Sequence, residues 1–355
     1  MKELNLKSKA IKFFAIVEAI VLAVMPLTGC TQTDSQSKKS VVSAKVSSDN
    51  GTGDLPTVRL GVLSASNLLW EAQIGIDKGI FKKNGINVEY TEFGSGIESV
   101  NQIVAGNLDI GFVADFAGIN RIGSTQDKTD LRFIAPLSKT ATYALYVDPE
   151  QVSKIEDIKG KGVMVALGTV LEYFNGVTFT KGGFTKNDVD IIPLEAPTDV
   201  LALAKSEKAA AYWTAGETAR KLQEDYGWKK LIGQADIGIT TNNMFMANNA
   251  YANGNKETIA KFLKSFEEIA DYEENNREDT IDYISKKDGI DKQFIEVSLD
   301  AEVRSDVFDQ DVYDGLQIIE NWCSENKFYD KDYSIKDFIN AEALKSIDSS
   351  KVTYK

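Results

Sequence analysis

Histidine is absent from this chain of 355 residues, and only two cysteines are present. Without imidazole, the usual metal sites built from His and Cys are excluded, and so are catalytic triads that need a His base. We therefore predict no metal, no cofactor and no catalytic residues. The lack of histidine is also the strongest argument in the sequence against a hydrolase, and we expect a protein that is not an enzyme.

Cysteine residues are few, and basic residues are fewer than acidic ones. Cys30 and Cys323 are far apart in the chain, and no intrachain disulfide can form without Cys30. Acidic residues outnumber Lys and Arg by 53 to 40, and the net charge is −13. Residues 1–29 alone carry +2, so the remainder carries −15. Such an acidic body argues against nucleic acid and anionic lipid as partners, although it does not exclude a small anionic ligand.

Long apolar runs are also lacking, because the longest one covers only residues 11–25 and is interrupted by Glu18. A spanning helix needs about 20 apolar residues. A basic start, a short apolar middle and small residues are typical of a secretory signal peptide, which we place at 1–29. The run Leu27-Thr28-Gly29-Cys30 resembles the lipobox of bacterial lipoproteins. That resemblance implies lipidation of Cys30 and an extracytoplasmic protein that is anchored to the cell membrane by lipid.

The rest of the chain has the pattern of an α/β protein. Residues 30–55 are polar and predict a flexible tether. From residue 56, short apolar runs alternate with amphipathic segments, and the pattern restarts after residue 162, which indicates two units with parallel sheets. Residues 142–147 and 243–247 are placed to cross between the units, and the chain after residue 255 is nearly all helical. The predicted strands are 58–63, 86–93, 108–113, 131–137, 163–167, 189–194 and 209–214, and the predicted helices are 69–83, 97–105, 171–180, 197–205, 216–226, 256–274, 276–286, 311–325 and 337–346.

Two loops carry the main prediction of a binding site. Each follows a predicted strand, and each has a Ser or Thr with a Glu three residues later, which is the spacing of a capping box. Glu98 and Glu172 are most simply helix caps. A helix N-terminus offers free N–H groups and a positive dipole, so a small anion held between two such termini needs no Lys or Arg. The candidate residues of these loops are Gly94, Ser95, Gly96, Gly168, Thr169 and Val170.

Other candidates follow the same logic, and each has a plain structural alternative. Asp115, with Phe116, follows a strand and could take an amine or cap the next helix. The hydroxyl and amide groups of the loop after the first strand suit a polar ligand, or form an ordinary loop. Trp213 could wall a pocket or lie in the core, and Asn242 and Asn243 could belong to the hinge or to the site. The remaining candidates are Ser64, Ser66, Asn67 and Trp70.

Several segments together show a family resemblance. The first unit carries Gly79-Ile80-Phe81, Gly85-Ile86-Asn87-Val88-Glu89, Phe93-Gly94-Ser95-Gly96 and Ala105-Gly106-Asn107-Leu108-Asp109-Ile110-Gly111, and the second begins at Ile155-Glu156-Asp157-Ile158-Lys159-Gly160-Lys161. The segment that runs from Val163 to Thr169, and Ala209-Ala210-Ala211-Tyr212-Trp213, also match. In this order they resemble the nitrate, taurine and aliphatic-sulfonate binding proteins of ABC importers, over about residues 56–345.

The resemblance implies a type II periplasmic-binding-protein fold, with two lobes, a double crossover hinge and a small ligand between the lobes. It places lobe 1 at 56–141 and 246–346 and lobe 2 at 142–245, and it implicates Ser64, Ser66, Asn67, Gly94, Ser95, Asp115, Thr169 and Trp213. The chain departs from the family at Leu167, where a proline is usual, and at Trp213-Thr214-Ala215.

The function implied is that of a monomeric substrate-binding lipoprotein that captures a small organic anion, taurine or another sulfonate first, and passes it to a membrane permease. Three alternatives stay open. Relatives bind thiamine-precursor pyrimidines and other aromatics, which Trp70, Tyr173 and Trp213 would suit. Some relatives synthesise a pyrimidine with a Cys-rich motif and a consumed His, both of which this chain lacks. A receptor that feeds a signalling membrane protein would have the same ligand-binding features.

Overall fold

The computed structural model describes residues 55–64, 66–194, 199–206 and 208–355. The predicted signal peptide, Cys30 and the predicted tether up to residue 54 lie outside the described residues. Within the described ranges the strands are β1 (Thr57–Leu63), β2 (Asn87–Phe93), β3 (Ile110–Ala114), β4 (Leu131–Thr140), β5 (Ala144–Val147), β6 (Gly162–Val165), β7 (Asp190–Pro193), β8 (Ala211–Thr214), β9 (Lys229–Gly233), β10 (Thr241–Asn248) and β11 (Glu302–Arg304).

The helices account for most of the remaining described chain. They are α1 (Asn67–Asp77), α2 (Ile80–Lys83), α3 (Gly96–Val104), α4 (Asp115–Thr125), α5 (Val170–Lys181), α6 (Asp199–Lys205), α7 (Gly216–Tyr226), α8 (Asn249–Gly254), α9 (Lys256–Asn275), α10 (Arg277–Asp288), α11 (Lys292–Asp300), α12 (Gln310–Glu325) and α13 (Glu342–Ile347). None of the helices in the described ranges has the length and apolar character that crossing a membrane requires.

The strands form two mixed sheets of the same design. The first sheet has the order β11-β4-β10-β3-β1-β2, and the second has the order β7-β6-β8-β5-β9. In the first, β1 is parallel to β2 and β3, and β10 enters antiparallel between β3 and β4. In the second, β6 is parallel to β7 and β8, and β5 enters antiparallel between β8 and β9. The predicted α/β fold with two parallel-core sheets is confirmed. We call the sheets with their helices the first and second lobe.

The apolar pattern of the strands explains the burial of both sheets. Val58, Leu60 and Val62 of β1 are fully buried on one face, and β3 and β8 are buried over nearly their whole length. Strands such as β3 and β8 therefore read as continuous apolar runs, whereas β1 alternates and carries the exposed Arg59. Glycines then let α3 approach the sheet, since a Cβ at Gly61 or Gly111 would lie within 2.5 Å of the Ser99 hydroxyl oxygen.

Several predicted helices differ from the structure in extent. The helix predicted over 69–83 ends at Asp77, because Gly79 adopts a left-handed φ of 72° and starts the short α2. The helix predicted over 337–346 is α13, which begins only at Glu342. The C-terminal part was predicted to be nearly all helical, and β11 is an exception that pairs with β4. The helices α4, α8 and α11 and the strand β9 were not predicted.

The predicted helices of the C-terminal part cover the first lobe, as expected. Helix α9 packs on α1, α12 packs on α4, and α13 packs on β4. The strand β10 begins at Thr241, so sheet membership places 241–245 with the first lobe, whereas the sequence analysis put the boundary at residue 246. The division into lobes by residue number otherwise stays a prediction.

Candidate functional site

The loops that follow the first three strands lie side by side at one edge of the first sheet. Leu63 at the end of β1 pairs with Phe93 at the end of β2, and the Ser64 N–H donates to the Phe93 carbonyl at 3.0 Å. Ala114 at the end of β3 pairs with Asn243 near the start of β10. The predicted ligand loops of the first lobe are therefore neighbours in space.

Two adjacent connections bring this edge to the corresponding edge of the second sheet. Thr140, the last residue of β4, pairs with Thr241, the first residue of β10. Ala144, the first residue of β5, pairs with Gly233, the last residue of β9. Residues 141–143 and 234–240 are all that separates the two pairs. Because β6 and β8 also end at this edge, the carboxyl ends of the parallel strands in both lobes are directed to the hinge, where open α/β sheets bind ligands.

Gln234 fastens the two connections to each other, and the sequence analysis did not identify it. The side chain is fully buried. Its Oε1 accepts the Tyr143 N–H at 2.8 Å, and its Nε2 donates to the Thr241 hydroxyl at 3.1 Å and the Thr140 carbonyl at 3.5 Å. Its backbone N–H donates to the Tyr143 carbonyl at 3.1 Å. A single glutamine thus satisfies polar groups of both hinge connections.

Glu98 and Glu172 cap their loops in the same way. The Gly94 N–H donates to Glu98 Oε2 at 3.2 Å, and the Gly168 N–H donates to Glu172 Oε2 at 2.8 Å. Each glutamate thus accepts the backbone N–H of the residue before the helix N-cap. In the predicted capping box it would accept the N–H of the N-cap residue itself. Burial raises the pKa of Glu172, although the Gly168 amide opposes this effect. Both glutamates act as caps, which agrees with the simpler of the two interpretations.

The first turns of α3 and α5 keep backbone donors that no acceptor uses. Thr169 caps α5, since its hydroxyl accepts the Leu171 N–H at 3.3 Å. The Ser95 hydroxyl makes no such bond at the start of α3. The amides of Gly96 and Val170, the first residues of the two helices, have no hydrogen-bond acceptor in the part of the chain that the structure describes. Unpaired N–H groups in the first turn of a helix are the kind of donor that binds oxyanions in proteins.

Asp115 is occupied by groups of its own lobe. Its carboxylate accepts the Phe116 N–H at 2.8 Å, the Asn242 N–H at 2.7 Å and the Asn242 side-chain amide at 3.2 Å. The residue is 1% exposed, and this burial raises the pKa of Asp115 to about 6 despite the three donors. Asp115 is the first residue of α4, directly after the N-cap Ala114, and its carboxylate joins the first turn of this helix to the start of β10. Both of its oxygens are already engaged by these donors.

Asn243 belongs to a second polar group beside the hinge. Its side-chain amide donates to Glu302 Oε1 at 3.0 Å and to the Ser138 hydroxyl at 3.1 Å, and Ser138 also donates to Glu302. This group joins β10, β4 and β11. Of the two roles that were open for Asn242 and Asn243, the contacts of both residues support the hinge.

The residues around the start of α1 are largely structural. Ser66 caps α1 by accepting the Leu69 N–H at 3.2 Å. The Asn67 amide donates to the Ser298 carbonyl of α11 at 3.1 Å, and Trp70 is fully buried in the core. The prediction that Asn67 and Trp70 contact ligand is not supported, because one side chain is engaged and the other has no exposed surface. Ser64 remains exposed at the sheet edge.

A buried ion pair completes the attachment of α11 and β11 to α1. Glu71 accepts from Arg304 at 2.9 Å and is 8% exposed, while the second oxygen of Glu71 has no partner within the described ranges. Burial raises the pKa of Glu71 to about 7, with a further contribution from the Glu302 charge, and Arg304 opposes the rise. The pKa of nearby Glu273 is raised as well, mainly by burial and by the Glu71 charge.

Trp213 lies in the core of the second lobe. It has no exposed surface, and its indole N–H donates to the Thr178 hydroxyl at 3.2 Å. The ring also contacts Phe174 at a centroid distance of 5.2 Å. The prediction that Trp213 walls a ligand pocket is therefore replaced by a packing role.

Aromatic rings from both lobes meet next to the N-termini of α4 and α5. Phe116 of the first lobe stacks on Tyr173 of the second, with centroids 5.7 Å apart and planes 9° apart. Trp322 of α12 contacts Tyr173 at 5.0 Å and Phe116 at 6.1 Å. Phe328 contacts Phe116 at 5.6 Å, and Trp322 at 5.3 Å. We call these four residues the interlobe ring cluster. The sequence analysis noted Phe116 and Tyr173 but had no signal for Trp322 or Phe328.

Within the described ranges no group of three or more Cys, Asp or Glu side chains is arranged to hold a metal ion. The candidate site thus combines the carboxyl edges of the two sheets, the unpaired first amides of α3 and α5, the interlobe ring cluster and three engaged carboxylates, which are those of Glu98, Asp115 and Glu172. Cys323, behind the ring cluster, is buried, and burial raises the pKa of its thiol.

Comparison with known proteins identifies the family. The family model described as NMT1/THI5 like matches residues 72–280, which is more than half of the chain. A Bacillus subtilis (strain 168) protein named for binding aliphatic sulfonates is 24% identical over 297 residues, which are 82% of this chain and 88% of the relative. The taurine-binding periplasmic protein of Escherichia coli (strain K12) is 24% identical over 193 residues, which are 53% of this chain and 58% of the relative.

A solved structure confirms the fold. The alkanesulfonate-binding protein of Xanthomonas axonopodis pv. citri, bound to MOPS, matches with a TM-score of 0.69 at 15% identity, over 81% of this chain and 99% of that one. The sequence resemblance to sulfonate-binding proteins and the periplasmic-binding-protein fold are both confirmed by these comparisons. The chain therefore belongs to the NMT1/THI5-like family.

Proposed function

We propose that this chain is the substrate-binding lipoprotein of an ABC importer and that it captures a small organic anion, with taurine or another aliphatic sulfonate as the first candidate. Its relatives are named for binding aliphatic sulfonates and taurine. The single observation that carries the ligand class is the pair of unpaired amides at Gly96 and Val170, one in each lobe.

The physical argument concerns charge as well as geometry. A helix N-terminus combines free N–H donors with the positive end of the helix dipole. An oxyanion between the lobes would therefore be stabilised by α3 on one side and by α5 on the other, without a basic side chain. The loops 94–96 and 168–170 follow strands whose ends are directed to the same hinge. Ser64 and Ser95 supply hydroxyls next to these loops. Ligand contacts to both lobes would favour the closed state over the open one, which is the expected mechanism of capture.

Val170→Pro tests the role of the α5 terminus. Val170 is the first residue of the helix, where proline is accepted, and Thr169 before it has φ −104° and ψ 169°, which suits a residue that precedes proline. The substitution therefore removes one N–H and leaves the helix in place. We expect the affinity for taurine, measured by calorimetry, to fall about 10- to 100-fold, the value of one hydrogen bond to a charged group.

Val170→Ala is the matched control, because it trims the same side chain and keeps the N–H. Equal taurine affinities in the proline and alanine variants would remove this amide from the site. Binding that is lost equally in both variants would assign the effect to packing of the Val170 side chain, which is 7% exposed.

An aromatic solute is the second candidate, and one observation favours it. Phe116 and Tyr173 come from opposite lobes and present parallel rings, so a modest separation of the lobes would let a flat ring enter between them. A thermal-shift panel of taurine, ethanesulfonate, nitrate, bicarbonate, amino acids and a thiamine-precursor pyrimidine decides between the classes. A true ligand at a hundred times its dissociation constant should add about 2.7 kcal/mol of stability. Stabilisation by the pyrimidine alone would favour the aromatic class.

The proposed location and partners follow from the N-terminal segment and from the relatives. We propose that Cys30 carries the lipid, that the protein is a monomer outside the cytoplasm, and that it delivers its ligand to a membrane permease. Cys30→Ser should move the protein from the membrane fraction to the soluble fraction, and retention in the membrane would contradict lipid anchoring. We also propose that the chain is not an enzyme, so mass spectrometry of incubated panel compounds should show no product.

A further inference from the structure

Trp322 is inserted between the lobes against a glycine. Trp322 lies on α12, which packs on α4 of the first lobe, and Gly176 lies on α5 of the second lobe. A Cβ placed at Gly176 would lie 2.2 Å from Cζ2 and 2.7 Å from Cη2 of the Trp322 ring. The indole is therefore in direct contact with the backbone of α5, and only glycine permits this approach.

The neighbours of Trp322 also belong to both lobes. Its ring meets Tyr173 of the second lobe edge to face, at 5.0 Å and 73°, and it meets Phe116 of the first lobe at 6.1 Å and 64°. Phe328, its neighbour in the ring cluster, lies under the ammonium group of Lys186 of the second lobe, 5.9 Å from the ring centroid. The contacts of Trp322 thus join the lobes where the proposed ligand helices begin.

The glycine has no other evident purpose at this position. Gly176 sits in the interior of a helix of twelve residues, where glycine is less favourable than alanine. No positive φ is recorded for it, so the backbone conformation does not require glycine. The close approach of the Trp322 ring is the physical reason that remains.

We propose that Trp322 and Gly176 form a closure contact, and that Trp322 is a positioning residue that sets ligand affinity by stabilising the closed arrangement of the lobes. The contact exists only when the lobes are together, because its two residues belong to helices of different lobes. The inference rests on the proposed function, since it concerns how the same site retains its ligand. Trp322 comes after both hinge connections in the chain, and local sequence patterns do not indicate it as a residue of the site.

Gly176→Ala tests the contact, first without any ligand. Trp70, Trp213 and Trp228 are at most 4% exposed, whereas Trp322 is only partly buried. Acrylamide quenching of tryptophan fluorescence therefore reports mainly on Trp322. We expect Gly176→Ala to increase quenching in the ligand-free protein, and to weaken binding of taurine, or of the panel compound with the largest thermal shift, at least tenfold.

A double-mutant cycle separates closure from a local defect in α5. Trp322→Ala should weaken the same compound, and Gly176→Ala added to Trp322→Ala should change affinity less than twofold further, because the clash is gone. Trp322→Phe, a milder change, should give an intermediate loss. Gly254→Ala is the matched control, since a Cβ there meets nothing within 4 Å, and we expect it to leave quenching and affinity unchanged.

Two results would overturn the inference. One is an equal loss of affinity on Gly176→Ala with and without the Trp322 ring, and the other is unchanged quenching and affinity in the single variant. If no panel compound binds the wild-type protein, the proposed ligand class fails, and the ligand-free quenching of Gly176→Ala against Gly254→Ala still tests the contact by itself.

Discussion

Gln234→Leu should destabilise the hinge, because leucine cannot form the hydrogen bonds of the glutamine side chain. Leucine fills a similar space, so the effect of the substitution comes mainly from these lost bonds. The substitution removes the bonds from Tyr143 N–H at 2.8 Å and to the Thr241 hydroxyl at 3.1 Å, and it removes a weak bond at 3.5 Å. Each good hydrogen bond contributes about 1 kcal/mol net, and a buried amide left without an acceptor costs about 1–3 kcal/mol. Partial compensation by the apolar side chain leaves an expected loss of about 2–4 kcal/mol.

Equilibrium unfolding in urea, followed by circular dichroism, measures this loss, and the melting temperature should fall by roughly 4–8 °C in a chain of this size. Gln317→Leu is the matched control. Gln317 is exposed on α12 and makes no side-chain hydrogen bond among the residues described, so its replacement should stay within about 0.5 kcal/mol.

Gln234→Glu adds a test that depends on pH. Glutamate can still accept the Tyr143 N–H, but its second oxygen then faces the Thr140 carbonyl instead of donating to it. Protonation restores the donor, so the deficit in stability of this variant should shrink as the pH falls toward 4. A Gln234→Leu variant as stable as the Gln317→Leu control would refute the assignment of Gln234 as the residue that holds the two connections together.

Two further predictions concern buried carboxylates. Glu71 faces Arg304, Glu302 and Glu273, and its pKa is raised from 4.5 to about 7, so the folded protein loses stability as the pH rises through that interval. Glu71→Gln removes this loss, and its stability relative to the wild type should rise by up to about 3 kcal/mol from pH 4.5 to pH 8 in urea unfolding; a difference independent of pH would contradict the assignment. Asp115→Ala leaves the amides of Phe116 and Asn242 without their acceptor and should cost about 2–4 kcal/mol in the same assay; lost taurine binding at unchanged stability would instead assign the carboxylate to the ligand.

The parallel core of each lobe could be predicted from sequence because its signals are local. Runs such as Val163–Val165 and Ala209–Trp213 are apolar over the length of a strand, and glycines or small polar residues follow them. Gly106 directly follows the helix predicted over 97–105, and its left-handed φ of 77° is typical of a glycine that ends a helix. The pattern that fixed the strands also located the loops that bring Ser64, Gly94 and Thr169 to the sheet edges.

The residues that the sequence analysis missed depend on contacts between distant parts of the chain. Gln234 gains its role from Tyr143 and Thr140, more than ninety positions earlier. The strand β11 has only three residues and forms because it pairs with β4. Such a short strand has no periodicity in the sequence that could indicate it. Trp322 meets Tyr173 only after the chain has crossed between the lobes twice.

The prediction that Trp70 and Trp213 contact the ligand was affected by the same dependence on distant contacts. Trp70 and Trp213 follow or end strands close to the sheet edge, which made them candidates, yet both rings point into the core and are fully buried. Whether an aromatic side chain near an edge faces the core or the gap depends on packing against helices, and the sequence does not reveal this. Trp322, on a helix with no neighbouring ligand motif, is the tryptophan that lies between the lobes.

Hydrogen–deuterium exchange with mass spectrometry tests the central claim, namely that a single ligand is held by backbone N–H donors from both lobes. On addition of saturating taurine, or of the panel compound that stabilises most, peptides that cover 94–98 and 168–172 should become protected together. Protection confined to one of these segments, or absent from both while calorimetry shows binding, would contradict the account.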